Sequence, residues 1–258
     1  MCPLRINNVK GEVVMCKIQD ELKKSKMYMI DVDENGLVKL SQENVAKVEA
    51  MIRNDSAYLK SFDKEARPKG KYKGSSAYWF AQLSDLVSRN EKPRDNSDLK
   101  KILQEIINSI DRENSTHLNA DKVGRTEMYN RLKDFSLSEI LDQLKDVDNM
   151  PLFNLLCGET RREDGNRGRR NPSFASKFCH YACFHLFEGL PEQDSYSIYD
   201  NVIRKVLHRY AEKYNVKHGN LADYRNYRKT IDEIIKASGS NISRNGFDHL
   251  LWYYHKGR

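Results

Sequence analysis

Residues 171–200 read NPSFASKFCHYACFHLFEGLPEQDSYSIYD. Pro172 suits the first turn of a helix or the hairpin before one, because its missing N–H is no loss there and its φ is preset. Ser173, Ala175 and Ser176 are small enough to let another backbone approach, and amides at such a helix start can hold a phosphate. Phe178, Ala182, Phe184 and Leu186 supply apolar packing along a helix predicted over 174–187. Gly189, Pro191 and Asp194 are turn formers, so 188–195 is expected to be a surface loop. Tyr196-Ser-Ile-Tyr199 then reads as a short extended stretch. Asp200 stands at the N-cap position of a periodic helix carrying Val202, Ile203, Val206 and Leu207. One helix start offers an amine, Lys177, and the next a carboxylate, Asp200, 23 residues further on.

Working outward, five arginines lie immediately upstream: Arg161, Arg162, Arg167, Arg169 and Arg170. A second basic stretch holds Lys60, Lys64, Arg67, Lys69, Lys71 and Lys73. The chain of 258 residues carries a formal charge of +7, and this clustering favours a polyanionic partner more than the total does. Each stretch taken alone also reads as an ordinary solvated loop. No apolar run approaches the ~20 residues of a membrane span. The opening MCPLRINNVKGEVV has no apolar signal region, so a cytoplasmic, intracellular protein with no membrane partner is expected.

Five cysteines, Cys2, Cys16, Cys157, Cys179 and Cys183, are odd in number and scattered, which argues against a disulfide framework. Cys179 and Cys183 share a helical face near His180 and His185. Buried thiols explain them better than a metal, and no metal or cofactor is expected.

Helical periodicity dominates from Ser41 onward. Helices are predicted over 41–53, 75–89, 97–111, 127–134, 137–146, 174–187, 201–214, 224–237 and 243–254. Ser136-Leu-Ser-Glu139 is a capping box, and Ala237-Ser-Gly239 carries a glycine stop. Upstream, 12–18 and 26–32 are β-prone pieces beside the turn Glu34-Asn35-Gly36, so a small β element is expected there. The predicted class is mainly α. Loss of periodicity within 110–125 suggests a division into 1–115 and 116–258, or a loop inside one domain.

The 171–200 segment resembles the helix-hairpin-helix DNA glycosylase superfamily, in particular its lysine-bearing, 8-oxoguanine-glycosylase-like branch. In that family a Leu-Pro-Gly-Val-Gly hairpin leads, one residue later, into a catalytic lysine. Asn171, Pro172, Ser173, Phe174 and Ala175 occupy those positions here, and Lys177 the lysine position. The family's Val-Pro-Val-Asp ending corresponds to Ser197-Ile198-Tyr199-Asp200. Ser173 and Ala175 replace both hairpin glycines, and 188–195 lengthens the spacing. The likeness extends over 125–258.

The resemblance implies base flipping, attack by Lys177 at the sugar C1′, electrostatic support from Asp200, and strand cleavage through an imine. It implies double-stranded DNA as partner of a monomeric enzyme, with an oxidised purine as the family's usual target. A hypermodified base of phage DNA, in antiviral defence, is a further expectation. Arg161, Arg162, Arg167, Arg169, Arg170, Ser173 and Ser176 are the expected DNA contacts. Asp248 and Trp252, one turn apart on the last helix, are the expected base-pocket residues. The alternative is a non-catalytic DNA-binding module in which Lys177 holds a phosphate and Asp200 is only a cap.

Overall fold

The computed structural model describes residues 30–53, 74–88, 97–114, 116–118, 123–160 and 168–256. These residues form ten α-helices: α1 Gln42–Arg53, α2 Ser76–Ser88, α3 Ser97–Asn114, α4 Gly124–Leu132, α5 Leu137–Lys145, α6 Pro151–Cys157, α7 Pro172–Leu186, α8 Asn201–Lys213, α9 Tyr224–Ala237 and α10 Arg244–His255. A 3-10 turn, Pro191–Asp194, follows α7. The mainly helical class expected from periodicity is what the chain adopts.

Local chemistry explains several boundaries. Ser136 Oγ accepts from Glu139 N while Glu139 returns a bond to Ser136 N, the reciprocal box that starts α5. Asp223 accepts from the amides of Arg225 and Asn226 at the start of α9. Helix α9 ends at Ala237, with Gly239 at φ +66. Helix α6 was not expected. It has only seven residues and follows Met150 at φ 51, so neither a periodic face nor a capping side chain announces it.

Helix α7 is the buried axis. Every residue from Phe174 to Cys183, and His185, is buried. It packs against α2, α3, α5, α6 and the 3-10 turn. Phe80 of α2 is fully buried against it, edge-on to Phe178 at 5.8 Å and stacked on His185 at 5.8 Å. Burying one such ring contributes about 1.5–3 kcal/mol. Cys157, Cys179 and Cys183 are buried free thiols whose pKa burial raises. Among the described residues no group of three His, Cys, Asp or Glu side chains is placed to hold a metal.

One hydrophobic core runs from Ile30 to Tyr254. Within 110–125, where a division or a loop was expected, α3 runs on to Asn114 and α4 starts at Gly124. Asp111 ties the two helices and 116–118 together by accepting from Thr116 Oγ1 at 2.7 Å, Leu118 N at 2.8 Å and Arg125 Nε at 2.7 Å. The Glu34-Asn35-Gly36 turn forms, with Gly36 at φ +70 and an isolated antiparallel bridge between Val32 and Val38. No longer strand occurs among the described residues. The β-prone piece 12–18, most of 26–32, and the Lys60–Lys73 basic stretch lie outside them. No described helix is long and apolar enough to cross a membrane.

Candidate active site

Lys177 sits in the second turn of α7. Helical side chains lean toward the N-terminus, and its amine reaches back one turn to Ser173 Oγ at 3.2 Å. The residue is only 8% exposed. Burial pushes its pKa down, and the negative charge of Asp200 pushes partly back. The carboxylate is thus within electrostatic range of the amine.

Asp200 is the N-cap of α8, with φ −113 and ψ 142, and its Oδ1 accepts from Val202 N at 2.6 Å. It remains partly open to solvent. What brings it beside Lys177 is the extended segment 195–200, held by side chains from three helices. From α7, Ser176 Oγ accepts from Tyr199 N at 2.9 Å and His180 Nδ1 donates to Tyr196 O at 2.6 Å. From α9, the hydroxyls of Tyr224 and Tyr227 donate to Ser197 O at 2.7 Å and Ile198 O at 2.9 Å. From α10, Asp248 Oδ2 accepts from Ile198 N at 2.7 Å. Five side chains thus satisfy backbone groups that a sheet would otherwise pair.

Several expected site residues take different places. Ser173, Phe174 and Ala175 lie in the first turn of α7 and not in a hairpin. With proline at the first helical position and no glycine to reverse the chain, the helix begins at Pro172. Ser176 is fully buried and works inside the molecule as part of the clasp. Asp248 is also buried, and burial raises its carboxyl well above the ordinary range. Its Oδ1 has no hydrogen-bond partner among the described residues. Trp252 is half-buried one turn later, with Lys256 Nζ 4.0 Å from its ring centroid.

The link from α6 to α7 is closed at its base. Thr160 N donates to Arg169 O at 3.2 Å and Gly168 N donates to Thr160 O at 2.6 Å. A Cβ on Gly168 would meet Thr160 O at 2.4 Å, so this approach requires glycine. Arg131 satisfies the end of α6 through Leu155 O at 2.9 Å and Glu159 O at 2.6 Å. Arg169 is exposed and donates to His117 O. Arg170 is exposed beside Cys157 Sγ, at 3.6 Å. Arg161, Arg162 and Arg167 lie outside the described residues.

A cavity of about 380 Å³ opens next to the start of α7, with Phe153, Cys157, Arg170, Pro172, Tyr224 and Arg225 among its walls. Lys177 and Asp200 do not line it, and two of its wall residues lead toward them. Pro172 precedes Ser173, the partner of the lysine amine. Tyr224 grips the segment that ends in Asp200. No family model, curated protein or solved structure matches the chain.

Sequence reasoning missed the clasp. Tyr224 and Tyr227 carry no local signal for this role, since their partners lie 27 and 29 residues away. His180 looked like a possible metal ligand. Its bond to Tyr196 O carries no local signature in the chain.

Proposed function

We propose that the protein is a DNA glycosylase with associated lyase activity, acting through Lys177 and Asp200. The observation that carries this reading is a buried lysine amine, its pKa lowered by desolvation, under the charge of an aspartate at a helix start. That is the pair the resemblance assigns to catalysis. A neutral amine is the nucleophilic form, and burial enlarges the neutral fraction.

The target nucleotide leaves the duplex, because its sugar–base bond is inaccessible in the stack. The C1′–N bond breaks and the base departs, taking up a proton. Asp200 stabilises the cationic sugar and accepts the proton that the amine loses as the C1′–Nζ bond forms. Ring opening gives an imine, which permits β-elimination of the 3′ phosphate. A helix-hairpin-helix glycosylase fold belongs to the same proposal. The base is an oxidised purine or a hypermodified base of phage DNA, the latter in an antiviral setting.

The test is borohydride trapping during incubation with duplexes that each carry one modified base. A covalent protein–DNA adduct should form with the right substrate and vanish in Lys177→Gln, which should still bind DNA. No abasic product with any duplex, alongside intact DNA binding, would replace this reading with that of a non-catalytic DNA-binding module. Excision without trapping would give the attack to water and return Lys177 to phosphate binding.

A further inference from the structure

We propose that Ser173 is the positioning residue of Lys177: its hydroxyl holds the amine at the start of α7 and carries the ammonium proton out to water. The inference rests on the glycosylase reading and adds to it a residue that the resemblance does not supply. The resembled family has a hairpin glycine where Ser173 stands, so this hydroxyl is a departure of the present chain.

Geometry joins the two side chains. Ser173 and Lys177 are four residues apart on one helix face, and Lys177 Nζ donates to Ser173 Oγ at 3.2 Å. A lysine ends in a compact ammonium on a flexible stem, so its head has many staggered positions until something selects one. The bond to Ser173 draws the head back over the first turn of α7, in the direction that helical side chains already lean. The Ser173 hydroxyl is engaged by no other group among the described residues. Its own proton can therefore turn to the nitrogen lone pair or to water.

The two groups differ in their access to solvent. Lys177 is 8% exposed, whereas Ser173, one turn nearer the helix end, is half-buried. Before the amine can attack, its ammonium form has to give up a proton, and Ser173 is the outward neighbour that can pass it on. The hydroxyl oxygen takes a proton from Nζ and releases its own O–H proton to a water molecule. One Nζ–H bond breaks, the hydroxyl is regenerated, and one proton reaches the solvent. The proton that Asp200 later accepts, as the C1′–Nζ bond forms, is a different one. Burial favours the neutral amine, and the helix end works in the same direction. Helix α7 has no acidic residue in its first turn and no side-chain cap, so its positive end disfavours a cation held over that turn.

The experiment compares Ser173→Ala with Ser173→Thr, which keeps a hydroxyl. NMR of isotope-labelled lysine, assigned against Lys177→Met, follows the titration of the Lys177 amine without DNA. Ser173→Ala removes an acceptor that favours the charged form, so the midpoint should move to lower pH, and threonine should restore it. Single-turnover borohydride trapping should nevertheless slow on the order of 10- to 10²-fold in Ser173→Ala at unchanged DNA affinity, because a misplaced amine attacks poorly. Imidazole buffer should speed the alanine variant and not the wild type, by taking over the proton. A wild-type midpoint and rate in Ser173→Ala would overturn the proposal, and so would a slowed rate that threonine does not restore. Weaker DNA binding at an unchanged trapping rate would make Ser173 a phosphate contact and overturn it as well. Failure of imidazole to speed the alanine variant would overturn the proton outlet. If the wild type traps on no duplex, the glycosylase reading falls, while the titration midpoint still decides whether Ser173 holds the amine.

Discussion

Ser176 Oγ lies 2.9 Å from the backbone nitrogen of Tyr199, and this bond sets α7 against the segment that ends at Asp200. The neighbours of these two residues, Lys177 and Asp200, are the candidate catalytic pair. Ser176→Ala would leave a buried N–H without a partner, at a cost of about 1–3 kcal/mol. Chemical unfolding should show that loss, and excision should slow at unchanged DNA affinity because the pair loses its register. Full stability in Ser176→Ala would mean that the other four side chains hold the segment alone.

Asp200→Asn should separate capping from charge. Asparagine caps a helix as well as aspartate, so Tm should hold. Excision should fall on the order of 10²-fold or more, because the charge opposite the sugar cation is lost. Wild-type turnover in this variant would reduce Asp200 to a cap.

Lys177→Met should raise stability. An amine whose folded pKa lies below its ordinary value costs folding free energy at every pH where the unfolded chain is protonated. The cost fades as pH approaches the lysine's ordinary range. Removing the charge should therefore stabilise by about 0.5–2 kcal/mol near neutrality while abolishing trapping, a common exchange at active sites. Equal denaturant midpoints for wild type and Lys177→Met would show that the amine is solvated.

The buried pair of neighbours on α10 gives a pH profile. Burial, assisted by Asp194 and Asp200, raises Asp248 well above 3.8; the unfolded chain ionises first, so stability is lost as pH rises above that value. Burial, with His180 adding to it, pushes His249 down to about 3; the unfolded chain binds a proton first, so stability is lost as pH falls from 6.5. Asp248→Asn should flatten the high-pH side and His249→Gln the low-pH side, measured as urea midpoints at pH 4.5, 6 and 8. Parallel curves for wild type and both variants would place these groups in water.

Sequence reasoning located helices by their periodicity, sharpened at two of them by punctuation, the Ser136 box and the Gly239 stop. Lys177 and Asp200 were visible because each stands near a helix start within the segment that carries the resemblance. The clasp was not, because its bonds join residues 16 to 50 positions apart through ordinary serine, tyrosine and histidine side chains. Asp248 was noticed for its spacing from Trp252, but only packing shows that its Oδ2 accepts from Ile198 N. Ser173 and Ala175, taken as hairpin positions, obeyed the proline ahead of them.

The turn after α7 has a consequence for the continuity of the chain. Glu188, Gly189 and Leu190 are exposed, Gly189 has φ +76, and Leu190 is 54% exposed. On one side the chain is locked into α7. On the other it is tied by the clasp and by Asp194, which accepts from Arg244 N at 2.6 Å and Asn245 N at 2.8 Å. A protease cut at Gly189 would therefore release neither piece. Each fragment carries one member of the Lys177 and Asp200 pair, so the molecule divides naturally into complementary halves whose reassembly would restore the site.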